Sequence, residues 1–168
     1  KDIKSSNSST RALSYMLYEN NGVLKRDNIE KLLRNIDQKE RKILRDKGVK
    51  FGRYHIFLYK LFKPNVVSLR LILWKNYNEK YYDLEPPTFG LNFLNDKKFN
   101  NKNFMLLCGF EKFDDYFVRI DILERLFLEI INSNTIKNSK IELVPKMLNL
   151  LGCSKENFLK LIKEMNYN

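Results

Sequence analysis

The feature that most constrains the fold is a series of three short helical patterns, separated by tight turns, in the first third of the chain. Apolar residues at positions i, i+3 and i+4 predict a first helix over residues 10–20, with Ser9 or Thr10 as its N-terminal cap. Asp27 and Asp37 are each followed three residues later by a glutamate, which is a helix start signal, and each precedes an apolar stripe. Short helices joined in this way predict a small, mainly α-helical fold.

Strands are expected to form only a minor part of this fold. Residues 49–58 are rich in β-branched and aromatic side chains that alternate between two sides, so they predict one strand, although the run YHIFLYKLF also fits a buried helix. Residues 110–120, FEKFDDYFVRI, predict a hairpin-like or extended piece. It follows a short helix that ends at Cys108 and precedes an amphipathic helix that starts at Asp121 and keeps Glu124 in water.

A helix with two distinct faces is predicted in the middle of the chain. Pro64 suits the first turn of a helix over residues 65–77. The residues expected to be buried are Val66, Leu69, Ile72, Leu73 and Asn76. The residues expected on a different face, as a candidate anchor for a protein partner, are Arg70, Trp74 and Tyr77, followed by Tyr81.

The C-terminal stretch VPKMLNLLGCSKENFLKLIKEMNY contains two amphipathic patterns joined by Gly152-Cys153-Ser154. A glycine in a short turn between two such helices is typical of a helix-turn-helix, so the fold is expected to end in a helix-turn-helix-like hairpin. A simple helical hairpin packed on the rest of the domain fits the pattern equally well. The cations that the last helix would display are Lys155, Lys160 and Lys163.

Polar and proline-rich segments suggest the domain organisation. Residues 1–9 are a polar tail and are expected to be disordered or a linker. Glu85-Pro86-Pro87 cannot continue a helix, so it divides a helical subdomain at 10–84 from a second at 88–168, unless the two form one compact domain. Since the chain begins with Lys1 and not with methionine, we expect it to be part of a longer protein.

The positive charge of the chain is concentrated in one segment. The net charge is +11, from 31 Lys and Arg against 20 Asp and Glu, and residues 39–63 contribute nine cations and two acids. Aromatic side chains alternate with these cations, as in a surface that binds nucleic acid, although alternating aromatics in a strand more often belong to a core and a run of charges is usually a solvated face. The predicted nucleic-acid-binding residues here are Arg41, Lys42, Arg45, Lys47, Lys50 and Arg53.

The sequence contains no recognisable catalytic, metal or cofactor site. His55 is the only histidine, which excludes a Ser/His/Asp triad built elsewhere and a multi-histidine metal site. Cys108 and Cys153 lie in apolar helical patterns, so we expect buried thiols and no disulfide. Phosphate loops, glycine-rich dinucleotide turns and C-x-x-C pairs are absent.

The remaining acidic cluster and the apolar runs also favour ordinary roles. Asp114, Asp115 and Asp121 are expected in a solvated loop and at a helix start. No apolar run is as long as a membrane span, and the first residues lack the layout of a signal peptide. We therefore expect a cytoplasmic protein without a membrane partner.

Four spaced blocks of the sequence follow a family pattern. The first block, LRDKGVKFGRYHIFLYKLFKPNVVSLRLILW, resembles a segment with a Gly-Val-Arg-Phe-Gly turn, an apolar "FLP" run, a Lys-Pro and an "LRALLW" helix. That segment occurs in a group of bacterial helicase-related proteins that is similar to the mitochondrial RNA-degradosome helicase. The other blocks, in the same order as in the group, are YENNGVLKRDNIEKLLRNIDQKER, CGFEKFDDYFVRIDILERL and PKMLNLLGCSKENFLKLIKEMNY. Tyr59 replaces the usual proline, and the spacer at 78–103 is unusually rich in Lys and Asn.

This resemblance implies a region C-terminal to the two RecA-like motor domains of a superfamily 2 helicase. ATP and Mg²⁺ would bind only in those upstream domains, so no catalytic residue is carried over to this chain. The implied role is to close over the nucleic acid, to couple the strokes of the motor domains to strand movement, or to recruit partners. The expected ligand is RNA or DNA, and sequence-specific binding is not expected, because the last helix has few residues suited to reading base edges. A protein-interaction module and, less in keeping with the sequence, a self-contained enzyme are the alternatives.

Overall fold

The computed structural model describes residues 7–95, 101–113, 116–132, 136–137, 140–141 and 143–165. The chain divides into two compact units, the first ending at Val66 and the second beginning at Val67. This division falls ahead of Pro86, where the sequence suggested a subdomain boundary, because Val67 and Leu71 belong to the core of the second unit. Among the described residues no helix is long and apolar enough to cross a membrane.

The first unit alternates short helices with short strands. Its elements are α1 (Ser8–Glu19), β1 (Val23–Lys25), a 3-10 turn (Asp27–Ile29) that runs into α2 (Glu30–Arg34), α3 (Gln38–Asp46), β2 (Val49–Phe51), β3 (His55–Leu58) and a second 3-10 turn (Tyr59–Phe62). The three predicted helices are therefore confirmed. Residues 8 and 9 are part of α1, whereas the rest of the predicted tail, apart from Asn7, lies outside the described residues.

Local signals fix the ends of these helices. The side chain of Asn7, and not Ser9 or Thr10, caps α1 by accepting hydrogen bonds from the amides of those two residues at 2.8 and 3.2 Å. The Asp37 side chain accepts from the Glu40 amide at 2.8 Å and begins α3 as predicted.

The strands of the first unit form one antiparallel sheet in the order β1-β3-β2. The prediction of a single strand at 49–58 was wrong, because residues 52–54 turn the chain back and make a β2–β3 hairpin. β1 was missed, since three residues are too few to show an alternating pattern. One face of the sheet carries Leu24, Val49 and Ile56 into a core shared with the three helices.

The second unit contains most of α4 and everything after it. Its elements are α4 (Pro64–Tyr77), a 3-10 turn (Glu79–Tyr81), β4 (Phe93–Leu94), α5 (Lys102–Leu107), β5 (Phe110–Phe113), β6 (Tyr116–Arg119), α6 (Ile120–Asn132), β7 (Ile136–Lys137), β8 (Lys140–Ile141), α7 (Pro145–Leu151) and α8 (Lys155–Glu164). The predicted β5–β6 hairpin is confirmed, and β4 adds to it in the sheet order β4-β6-β5.

The predicted buried face of α4 was wrong. Val67 and Leu71 are buried against the second core, whereas Leu69, Ile72 and Leu73 are 57%, 59% and 52% exposed. The apolar residues of α4 lie on all sides of the helix, so their spacing in the sequence does not indicate which face is buried. The packing partners, which include Phe104 of α5, select the buried side.

The last three helices follow their sequence signals closely. In α6 the apolar face is buried as predicted, but Glu124 is buried as well, contrary to the expectation that it stays in water. Gly152 adopts a left-handed conformation with φ of 69° after α7, and Ser154 caps α8. α7 packs against α6. The mainly α fold with a minor β component is thus confirmed, and the helix-turn-helix-like hairpin at the C-terminus stays a prediction.

Candidate nucleic-acid interface

The outer face of α3 carries exposed positive charge. Leu44 is fully buried and anchors the helix on the first core. Because side chains two residues apart on a helix point in nearly opposite directions, Lys42 lies on the side away from that core. Lys39 and Arg45 are exposed beside it. Three of the four cations of this helix therefore face solvent.

Arg41, the fourth cation of α3, is committed to the protein itself. Its Nε donates to the carbonyl oxygen of Ile36 at 3.0 Å, and its Nη2 donates to that of Leu33 at 2.8 Å. These oxygens lie at and just after the end of α2, where backbone acceptors lack helical partners. Arg41 thus holds α2 to α3, which is a role that a count of cations did not reveal.

The turn after α3 adds two more exposed lysines. The Lys47 amide donates to the carbonyl oxygens of Ile43 and Leu44 at 3.2 and 3.1 Å, and Gly48 then reverses the chain with φ of 97°. Because Gly48 is followed at once by β2, Lys47 and Lys50 stay close to the end of α3. The Lys50 ammonium lies 5.3 Å from the centre of the Tyr59 ring.

The aromatic side chains of this segment serve mostly as packing groups. Phe51 is half-buried, and the guanidinium carbons of Arg41 and Arg45 lie 5.9 and 5.8 Å from its ring centre. Phe57 is buried and stacks on Phe62 with ring centres 5.4 Å apart. These contacts favour core and cation-support roles over base stacking.

Arg26 fixes the tip of the β2–β3 hairpin. Its guanidinium donates to the Gly52 carbonyl oxygen at 2.7 Å, and its amide donates to that of Tyr54 at 2.8 Å. The Gly52 amide donates to the His55 carbonyl oxygen at 2.8 Å, which closes the turn. Arg53, at the tip, is exposed. Nothing in the sequence near Arg26 indicated this contact, which joins residues far apart in the chain.

The exposed cations lie on consecutive elements of the first unit. α2 and α3 are separated by a three-residue turn, residues 35–37, and α3 is followed by an antiparallel hairpin that pairs with β1. The first unit therefore runs through a short helix, a three-residue turn, a second helix and an antiparallel hairpin. The exposed cations lie on that second helix, on the turn after it and on the hairpin.

The predicted cations of the last helix belong to the second unit. Lys155, Lys160 and Lys163 are all exposed on α8. The Lys160 ammonium lies 3.0 Å from Glu156 Oε1, and this hydrogen bond raises the pKa of the lysine. Part of the charge that this helix presents is therefore neutralised locally.

The predicted aromatic anchor is divided between core and surface. Trp74 is half-buried, stacks on Tyr81 at 5.4 Å and tilts against Phe104 at 5.8 Å. Arg70 donates to the Leu107 carbonyl oxygen at 3.3 Å, and burial lowers the pKa of its guanidinium. Tyr77 alone of the three predicted anchor residues is strongly exposed, at 88%.

The histidine and the cysteines lie in packed surroundings. His55 is buried, more deeply than the sequence suggested. Burial raises the pKa of the Cys108 thiol to about 12 and that of Cys153 to about 11, so both are protonated near neutral pH. Both are free thiols; Cys108 is buried as predicted, whereas Cys153 is only half-buried.

Among the described residues, the acidic side chains show no metal-binding arrangement. In the parts of the chain that the structure describes, no three His, Cys, Asp or Glu side chains cluster closely enough to hold a metal ion. Asp121, in the first turn of α6, accepts two hydrogen bonds from the Arg119 guanidinium at 2.7 and 2.9 Å. Asp114 and Asp115 lie outside the described residues.

Comparison with protein-family models, with curated proteins and with solved structures gives no match to this chain. The resemblance to helicase-related proteins rests on the four sequence blocks alone.

Proposed function

We propose that this chain is a non-catalytic C-terminal accessory domain of an ATP-dependent RNA or DNA helicase, and that its first unit binds the nucleic-acid backbone. The observation that carries the proposal is the row of exposed cations on α3, on the turn after it and on the β2–β3 hairpin. The four sequence blocks that resemble helicase-related proteins support the helicase part of the proposal.

Electrostatics support a backbone ligand. From Lys39 to Arg53 the chain has seven cations and two acids. A surface of this kind attracts phosphates and releases their counterions, so that binding weakens as salt is added.

The test is a fluorescence-anisotropy titration of the chain with labelled nucleic acid at several salt concentrations. If about four phosphates are neutralised, the affinity should fall roughly 100-fold between about 50 and 200 mM salt. The proposal would be wrong if neither RNA nor DNA bound at low salt, or if binding were indifferent to salt.

A second candidate is a protein-interaction role, and the exposed side of α4 favours it. Leu69, Ile72, Leu73 and Tyr77 present apolar or aromatic surface on one helix. Exposed apolar surface of this kind is typical of interaction sites, and upstream motor domains are the partner that the resemblance implies. A partner that stays bound to the immobilised chain at high salt, but is lost with Leu73→Asp, would favour this role. Loss with Trp74→Ala would be less informative, because Trp74 packs on the core.

A further inference from the structure

We infer that two copies of this chain bind each other through the exposed side of α4, as an antiparallel pair of helices. The inference goes beyond the proposed nucleic-acid role, which concerns α3 and its neighbours in the first unit. It assigns a partner, a second copy of the same chain, to a surface that nucleic-acid binding does not use.

The exposed side of α4 carries no charge. Every exposed residue of this helix is uncharged, although charged residues make up 30% of the chain. Seven of them are spaced so that they share one side of the helix, which we call the uncharged face. Its members are Asn65, Ser68, Leu69, Ile72, Leu73, Asn76 and Tyr77. Large apolar side chains therefore lie at the centre of the face and smaller polar ones towards its edges.

The two cations of α4 lie beside the uncharged face and are held by contacts within the chain. Arg70 is half-buried and donates to the Leu107 carbonyl oxygen at 3.3 Å. Lys75 is also half-buried, and its ammonium lies 5.7 Å from the centre of the Tyr82 ring. Neither cation is displayed at the centre of the face, so a second helix can approach it without meeting a positive charge.

Charge favours a second copy as the partner. Each copy carries a net charge of +11, so two copies repel each other wherever their basic surfaces meet. Like charges that face each other across an interface weaken binding, which confines self-association to a surface without cations. An acidic partner would instead gain most from the basic surfaces. The uncharged face is thus suited to contact between two equally basic chains.

The two ends of the uncharged face are complementary to each other. Lys63 is exposed one residue before α4, and Glu79 is exposed two residues after it. In an antiparallel pair with its two-fold axis near residue 71, Leu69 of one copy is level with Leu73 of the other, and Lys63 is level with Glu79. Two-fold symmetry repeats both contacts. Apolar side chains then meet at the centre and opposite charges at each end.

The size of the face sets the expected strength of the dimer. α4 has 14 residues and is therefore about 21 Å long, with a width of about 10 Å. A contact along one such helix is smaller than the roughly 800 Å² per partner of a standard protein interface. We therefore expect a weak, reversible dimer with a dissociation constant of about 10–100 µM.

The first experiment is sedimentation velocity of the full chain, without nucleic acid, from about 5 to 500 µM. The mass should rise from monomer to dimer over this range. Because salt screens the repulsion between the two basic chains, the dissociation constant should fall at least about threefold between about 50 and 500 mM salt. A monomer under every condition, or a dimer that weakens as salt is added, overturns the inference. Nucleic-acid binding is measured on the dilute monomer, so either proposal can fail while the other stands.

A matched pair of variants locates the contact. Leu73→Asp places a charge on the uncharged face, and Leu128→Asp places the same charge on α6; the two leucines are 52% and 54% exposed. Since symmetry introduces the charge twice, Leu73→Asp should weaken the dimer at least about tenfold, whereas Leu128→Asp should change it less than about twofold. Equal losses contradict the inference. If circular dichroism shows that Leu73→Asp does not fold, Leu69→Asp takes its place with the same expected loss.

Charge reversal tests the antiparallel register. Glu79→Lys brings two cations level at each end of the pair and should weaken the dimer roughly threefold. Addition of Lys63→Glu restores both the net charge and the opposite charges, so the affinity should return to that of the parent chain. Addition of Lys155→Glu on α8 restores only the net charge and should leave the dimer weak. Equal recovery in the two double variants overturns the antiparallel pair.

Discussion

Replacement of Arg41 by alanine should destabilise the first unit while leaving its proposed nucleic-acid contacts largely intact. The sequence analysis groups Arg41 with the cations that are predicted to bind nucleic acid. Its guanidinium instead donates to the carbonyl oxygens of Ile36 and Leu33 at 3.0 and 2.8 Å, and it lies against the Phe51 ring. The substitution therefore removes two charged hydrogen bonds and one cation–ring contact from the α2–α3 junction.

The expected magnitude follows from these contacts. Hydrogen bonds to charged groups contribute roughly 1.5–3 kcal/mol each, and the half-exposed position of Arg41 favours the lower end of that range. An exposed cation–ring contact adds about 0.5 kcal/mol. We therefore expect Arg41→Ala to lower the free energy of unfolding by roughly 2–4 kcal/mol, which is a large part of the 5–15 kcal/mol of an ordinary domain.

The assay is urea unfolding of the full chain followed by circular dichroism, with Lys42→Ala as the matched control. Lys42 is the next residue of the same helix but is exposed, so its replacement should change the free energy of unfolding by less than about 0.5 kcal/mol. In binding experiments the larger effect should come from Lys42→Ala. The salt slope, which is the slope of log affinity against log salt concentration, should fall by about one for Lys42→Ala and stay nearly unchanged for Arg41→Ala. Equal stabilities of the two variants, or a lowered salt slope for Arg41→Ala, would refute the reasoning.

Two further predictions concern a turn and the thiols. Gly22 has a φ of 81°, and a Cβ at that position would press on Leu61 Cδ1. Gly22→Ala should therefore lower the free energy of unfolding by at least about 1–2 kcal/mol in the same urea assay. An unchanged unfolding midpoint would contradict this prediction. Because burial raises the pKa of Cys108 to about 12 and that of Cys153 to about 11, their thiolate fractions at about pH 8 fall roughly a thousandfold and a hundredfold below that of a free cysteine. Alkylation by iodoacetamide, followed by mass spectrometry, should be slow by similar factors in the folded chain and fast in urea, and equal rates in the two states would contradict the pKa shifts.

Elements with local signals could be predicted from the sequence. The start of α3 is set by Asp37 and the stop after α7 by Gly152, and both signals act over only a few residues. The β5–β6 hairpin could also be predicted from the sequence. The division of residues 49–58 into two strands could not be predicted, because the turn at Gly52 depends on Arg26, which lies far away in the chain.

Properties set by tertiary packing could not be read from the sequence in the same way. α4 has apolar residues on all sides, so only contact with the second core decides that Leu71 is buried and Ile72 exposed. The sequence identified the cations of the candidate interface. It did not show that Arg41 holds α2 to α3 whereas its neighbour Lys42 is exposed. That α3 lies between a short helix and a β-hairpin that pairs with β1 became visible only with the strand order β1-β3-β2.

The location of the nucleic-acid contact can be measured directly by NMR. In a titration of the ¹⁵N-labelled full chain with an unlabelled DNA duplex, amide shift changes should concentrate on α3, on Lys47 and on the β2–β3 hairpin around Arg53. Amides of α8 and of the exposed side of α4 should change little. Changes centred on α8 or on α4, with α3 unaffected, would contradict the assignment of nucleic-acid binding to the first unit.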